Sequence, residues 1–274
     1  MRRTGRLRQG DAELYYEVVG QGPAVVFAHG LGGNHLSWWQ QLAHFAGTNT
    51  CIAFAHRGFP PSSAVPGNRA PDAYADDLGA LIDELQLDDV ALVGQSMGGW
   101  TCLEYALRES KKVRALVMAS TSGTLDYNQL DDSSIREWSR RAPGALAELQ
   151  KQGIHPAAGE RMAREQPALA QLYWQIAEMA PASFREQVRE RILQLRNRSP
   201  ALLAQLPMPV LFITGDEDWV FPPAAGPALA ALAPKGRAVR VPAAGHSVYF
   251  ERAAQFNELV EFGVRATINS GSGR

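Results

Sequence analysis

Cysteine is scarce in this sequence. Two residues of 274, Cys51 and Cys102, cannot build a disulfide framework, and neither sits in a zinc-like cluster. Both read as small buried apolar side chains, suited to a reducing cytoplasm. Net charge is equally scarce: 27 basic and 28 acidic side chains give a formal −1. No broad field is available to steer a nucleic acid or an anionic bilayer. No apolar run approaches the about 20 residues of a membrane span. The first ten residues, MRRTGRLRQG, are basic but lead into no apolar stretch, so no signal peptide is expected. They read as a solvated terminus entering an edge strand. Charged residues make up 20% of the chain, which argues against disorder. Only the tail at 269–274 (NSGSGR) reads as disordered.

What is present is an alternation of strand and helix signals. Ala12–Val19 (AELYYEVV) is β-rich and follows a Gln9-Gly10-Asp11 turn, which predicts a hairpin with the segment around Leu7. Ala24–Ala28 (AVVFA) is continuously apolar, as a strand buried on both faces must be. Residues 51–55, 90–93, 113–118 and 209–213 read the same way, and 238–241 is a weaker case. Between them, Tyr74, Leu78, Leu81, Ile82 and Leu85 form one apolar helical face after Pro71. Tyr249, Ala253, Phe256 and Val260 repeat at helical spacing near the end. Buried strands alternating with helices imply parallel pairing through right-handed crossovers.

One stretch breaks the rhythm. Residues 122–206 contain no strand-like run, only helical pieces broken at Pro143, Gly153, Pro156, Pro167, Pro181 and Pro200. We read this as a helical insertion, with 1–121 and 207–274 forming the core around it. Its Trp138, Met162, Tyr173, Trp174 and Phe184 serve either its own packing or a pocket at the strand ends.

The strongest chemical signal is Gly94-Gln95-Ser96-Met97-Gly98-Gly99, between a strand and a helix. This G-x-S-x-G turn forces Ser96 into sparsely populated backbone space, at about 1–3 kcal/mol. Glycines two before and two after avoid Cβ clashes. The Ser96 hydroxyl then stands at the sheet's carboxyl edge, on a helix amino terminus that favours developing negative charge. A second signal is His29-Gly30-Leu31-Gly32-Gly33 after the strand at 24–28. The backbone N–H groups of Leu31 and Met97 are the natural pair for an oxyanion hole. His29 itself reads as structural. The better base is His246, in Ala244-Gly245-His246-Ser247 before the last helix. His35, His44 and His155 read as solvent or helix-face residues, and His56 as structural or surface. An acid is expected in Gly215-Asp216-Glu217-Asp218, where three carboxylates compete.

The order of serine, acid and histidine resembles the α/β-hydrolase family, in its cap-bearing serine hydrolase or esterase subgroup. The resemblance runs over nearly the whole chain. It rests on His29-Gly30, Gly94 to Gly99, Gly215 to Asp218 with Pro222, and Gly245-His246-Ser247 with Glu251, Phe256 and Asn257. It implies an α/β fold: an eight-stranded, mostly parallel sheet flanked by helices, an antiparallel second strand, and a helical cap at 122–206. It also selects Asp218 as the acid, three residues after the glycine and four before the proline. The family's D-x-R-G-x-G-x-S loop is here Ala55-His56-Arg57-Gly58-Phe59-Pro60-Pro61-Ser62, so no role transfers to it. Ala253 stands where a proline is usual.

Serine at position 96 argues against dehalogenase and epoxide hydrolase chemistry. The expectation is therefore an ester hydrolase working through an acyl-enzyme on a small-molecule ester, with Ser96, Asp218 and His246 as catalytic residues. No metal or organic cofactor is implied. Balanced charge in the insertion gives no reason to expect an anionic substrate, so short to medium uncharged acyl groups are expected. The alternatives are a carbon–carbon bond hydrolase of ring-fission products and, in a different class, a ligand receptor with little turnover.

Overall fold

The computed structural model describes residues 2–265. The tail at 269–274 lies outside them. β1 (Arg2–Gln9) and β2 (Ala12–Val19) form the expected hairpin, in register from Arg2 opposite Val19 to Gln9 opposite Ala12. Arg2 and Arg6 of the edge strand each reach a hairpin acid, Glu17 and Glu13, at 2.6 Å. Arginines on an outer strand also discourage pairing with another chain.

β3 (Ala24–Ala28), β4 (Thr50–Phe54), β5 (Val90–Gln95), β6 (Val113–Ala119), β7 (Val210–Gly215) and β8 (Gly236–Val241) complete one sheet. Its order is β1-β2-β4-β3-β5-β6-β7-β8. The β1–β2 and β2–β4 pairings are antiparallel, and the others are parallel. Alternation along β3 shows how the sheet makes two cores. Ala24, Val26 and Ala28 join one cluster with Leu78, Leu81 and Ile82 of α2 (Tyr74–Glu84) and Cys102, Leu103 and Ala106 of α3 (Met97–Arg108). Val25 and Phe27 turn the other way, toward Trp38, Phe45, Phe256 and Val260. This two-sided burial explains the unbroken apolar runs of the central strands. Cys51 and Cys102 are buried, unpaired thiols. Burial pushes the Cys51 thiol up to about 12.

Counting α1 as Trp39–Phe45, four further helices lie between β6 and β7. They are α4 (Ser133–Lys151), α5 (Gly159–Glu165), α6 (Pro167–Ala177) and α7 (Ala182–Leu195). Pro167 starts α6, Pro181 precedes α7, and Gly153 follows the end of α4. Pro143 does not break the chain as expected; it lies inside α4. Ile135, Ala142 and Leu149 are buried at seven-residue spacing along that helix. Their packing outweighs a proline penalty of about 3 kcal/mol. Pro143 itself is exposed. At the base of the insertion, the Asp126 N–H donates to the Arg198 carbonyl and the Arg198 N–H to the Thr124 carbonyl.

After β7 come α8 (Ala225–Ala230), α9 (Val248–Glu251) and α10 (Ala253–Arg265). The expected single final helix is thus two, interrupted at Arg252 with φ −130° and ψ 47°. There the Arg252 guanidinium turns back to the Ala243 carbonyl at 2.9 Å. Among the described residues no helix is long and apolar enough to cross a membrane.

Candidate active site

Ser96 follows β5 and precedes α3, with φ 49° and ψ −115°. The turn is tight enough that a Cβ on Gly94 would lie 2.6 Å from the Gly98 carbonyl. A Cβ on Gly98 would collide with the Ala28 carbonyl. Only glycine fits either place, which is the local reason for the motif. The Ser96 N–H is anchored to the Ala119 carbonyl at 2.9 Å.

His246 stands in the loop after β8, and Asp218 in the loop after β7. His246 Nδ1 lies 2.8 Å from Asp218 Oδ2, with the carboxylate 1% and the imidazole residue 3% exposed. The other carboxylate oxygen accepts the N–H groups of Val220 and Phe221 at 2.7 and 2.9 Å. The competing acids point elsewhere. Asp216 pairs with Arg240 at 2.7 Å, and Glu217 with Arg161 of α5 at 2.5 Å.

The loops are tied to one another and to the insertion. The Gln95 amide donates to the His246 carbonyl at 3.4 Å. The Gly245 N–H donates to Glu251 Oε1 at 2.8 Å, and Glu251 is 3% exposed. Burial raises the Glu251 carboxyl to about 8. The Ser247 hydroxyl donates to the Tyr173 hydroxyl of α6 at 3.1 Å. The Trp138 indole N–H of α4 donates to the Asp218 main-chain carbonyl at 2.8 Å.

Ser96, His246, Leu31 and Met97 all line one cleft of about 460 Å³. Within the described residues the Ser96 hydroxyl makes no hydrogen bond to His246; such bonds are often long before a substrate binds. The Leu31 N–H has no protein acceptor among the described residues. Met97 opens α3, so its N–H has no partner inside the helix. Trp138, Ala142, Pro143 and Leu146 of α4 line the cleft with apolar side chains, and α7 with its C-cap adds Ile192, Leu193 and the cationic Arg189 and Arg196.

His29 and His56 are structural, as expected. The His56 N–H donates to His29 Nε2 at 3.0 Å, which leaves the proton on Nδ1, 2.8 Å from the Gly30 carbonyl. Burial lowers His29 to about 3. His56 Nε2 lies 2.8 Å from Thr101 Oγ1. In the same loop Arg57 forks onto buried Asp77 at 2.7 and 2.6 Å. His35 is buried beside Glu17 at 3.5 Å, not in solvent, because the hairpin folds over it. His155 packs against Tyr173 and Trp174, and burial lowers it to about 4.

Some neighbours carry no local sequence signal. Trp138 sits 80 residues from the acid loop it touches. Ser120 lines the cleft at φ 49°, with a buried hydroxyl that has no partner.

A serine on a strained strand-to-helix turn, sharing a cleft with a histidine bound to a buried aspartate, on this sheet, defines the α/β hydrolases as a class. The chain belongs to that family: the model for the alpha/beta hydrolase fold matches residues 23–253. A relative, 3-oxoadipate enol-lactonase 2 of Acinetobacter baylyi, is 31% identical over 150 residues, 54% of this chain and 52% of its own length. Here the chain matches only about half of the curated relative. BpoC of Mycobacterium tuberculosis, provisionally named a non-heme bromoperoxidase, is 30% identical over 259 residues, 89% of this chain and 94% of its own. Among solved structures, a thermophilic esterase from Thermogutta terrifontis superposes with TM-score 0.77 at 25% identity, covering 97% of this chain and 99% of its own.

Proposed function

We propose that this protein is a serine hydrolase of carboxylic esters, lactones included, acting through an acyl-enzyme. One observation carries the reading: strained Ser96 opens into the same cleft as His246, whose other nitrogen is held by Asp218.

The chemistry follows from those positions. His246 Nε2 takes the Ser96 proton as Oγ attacks the ester carbon. The carbonyl oxygen, now negative, is received by the N–H groups of Leu31 and Met97. Asp218 fixes the imidazole tautomer and stabilises the imidazolium. As the tetrahedral intermediate collapses, the carbon–oxygen bond breaks and His246 hands its proton to the departing alcohol. Water then adds to the acyl-enzyme with His246 again as base, releasing the acid and restoring Ser96. No cofactor is needed at any step. Helices α4 to α7 act as the cap. The part of the acyl group lying along Trp138, Ala142, Pro143 and Leu146 is uncharged and short to medium in length. A reducing cytoplasm suits the unpaired Cys51 and Cys102.

The test is a panel of 4-nitrophenyl esters and lactones with wild type and Ser96→Ala. The wild type should hydrolyse members of the panel and react with a fluorophosphonate at Ser96. Ser96→Ala should fall to background while remaining folded. An active alanine variant, or labelling at another residue, overturns the reading.

A further inference from the structure

The cleft that holds Ser96 is lined by cationic side chains and by no anionic one. The side chains around it include two arginines, Arg189 and Arg196, and no aspartate or glutamate. The near-equal charges of the insertion are therefore not shared by the cleft lining. The two arginines also differ. Arg189 is exposed and lies 3.6 Å from Glu186. Arg196 closes α7, is half-buried, and has no carboxylate within salt-bridge distance among the described residues.

Arg196 is nevertheless held in place. Its Nη1 donates to the Tyr127 hydroxyl at 3.1 Å. Its guanidinium carbon lies 4.5 Å from the centre of the Tyr127 ring. Tyr127 is buried and packs edge-on against Phe221, whose N–H holds Asp218. Arg196 is thus a fixed cation on a scaffold continuous with the catalytic loop. Apart from that one bond, its side-chain N–H groups have no protein acceptor among the described residues. A guanidinium fork of this kind matches the two oxygens of a carboxylate.

We propose that Arg196 forms a carboxylate subsite of this cleft, so that the preferred substrate is an ester or lactone bearing a carboxylate away from the scissile carbonyl. Arg189 adds positive potential at the rim. The proposal rests on the ester-hydrolase reading and names its substrate class. It places the charge at Arg196 and not along the apolar side chains of α4.

Two matched pairs of esters test it. One carries the charge on the acyl side: the mono-4-nitrophenyl ester of glutaric acid against its methyl-capped form. The other carries it on the alcohol side: the butyryl ester of 4-hydroxybenzoate against that of 4-hydroxybenzamide. The wild type should favour the acidic member of at least one pair by tenfold or more in kcat/KM. Arg196→Gln should bring that ratio close to one, and Arg196→Lys should fall between. A ratio near one in both pairs for wild type, or an equal ratio in wild type and Arg196→Gln, overturns the subsite. A second readout needs no turnover. Glutarate should raise the melting temperature of wild type and of Ser96→Ala but not of Arg196→Gln, while glutaramide should raise none. Glutarate stabilisation without ester turnover would retain the subsite and refute the esterase; turnover without acid preference or glutarate stabilisation would do the reverse.

Discussion

Asp218 divides its carboxylate between two tasks, and only one of them is His246. Oδ2 meets His246 Nδ1 at 2.8 Å, while Oδ1 holds the backbone of Val220 and Phe221. The same group thus orients the imidazole and shapes its own loop. Asp218→Asn replaces one acceptor oxygen by a donor and favours the wrong imidazole tautomer. Turnover should fall on the order of 10²–10⁴-fold. Asp216 is bound to Arg240 at the surface, so Asp216→Asn should stay within about tenfold, below about 1.4 kcal/mol. Steady-state kinetics of the two variants checks this; a severe Asp216→Asn beside a mild Asp218→Asn would refute the assignment.

Ser120 is 2% exposed, sits at φ 49°, and has an unpaired hydroxyl beside the cleft. Removing a buried hydroxyl that has no partner is close to neutral or stabilising. Ser120→Ala should therefore keep or raise the melting temperature. Ser120→Gly should gain further, because glycine adopts positive φ without strain. A loss of several degrees in Ser120→Ala would show that the hydroxyl has a structural partner.

Trp138 links the insertion to the acid loop through one hydrogen bond to the Asp218 carbonyl. Trp138→Phe removes the donor and keeps most of the apolar surface. The stranded carbonyl should cost about 1–3 kcal/mol if it stays dry. We expect a lower melting temperature and a reduced kcat/KM. An unchanged value of both would mean that water replaces the indole N–H at no cost.

These contacts show where sequence reading succeeds. The strand Ala24–Ala28 was readable because both faces of β3 are buried, leaving no polar interruption. The turn at Ser96 was readable because two backbone contacts leave no room for a Cβ on Gly94 or Gly98. Asp218 needed family resemblance, since three acids in four residues look alike until their partners are known. Trp138 was readable as a pocket candidate but not its bond to the Asp218 carbonyl, and Arg196 and Ser120 could not be read. Their significance comes from side chains brought close by the fold and remote in sequence. Pro143 was misread for a related reason: local propensity predicts a break, and the buried stripe Ile135, Ala142 and Leu149 overrides it.

Two kinds of buried group pull stability against pH in opposite directions. His29 and His155 are lowered by burial to about 3 and about 4 from an ordinary 6.5, and His56 is lowered well below it. They stay neutral in the fold, whereas the unfolded chain takes up their protons as pH falls below about 6.5. Their contribution is present above that pH and is lost progressively below it. Glu251 has the opposite sign. Burial raises it from 4.5 to about 8, against the opposing effects of the Gly245 N–H and Arg252. The folded protein keeps a proton there that the unfolded chain releases near 4.5. That contribution is full below 4.5 and is lost as pH rises to about 8, on the order of a few kcal/mol in all. Between 4.5 and 6.5 these histidines, with His35 also lowered by burial, outweigh the one carboxyl, so stability rises with pH. Above 6.5 the proton held by Glu251 dominates, and stability falls until about pH 8. The melting temperature should therefore peak near pH 6–7. In Glu251→Gln the amide oxygen can still accept the Gly245 N–H, but nothing titrates. Its melting temperature should therefore be flat from about pH 6.5 to 8.5. A variant that declines over that interval as steeply as wild type would show that another group is responsible.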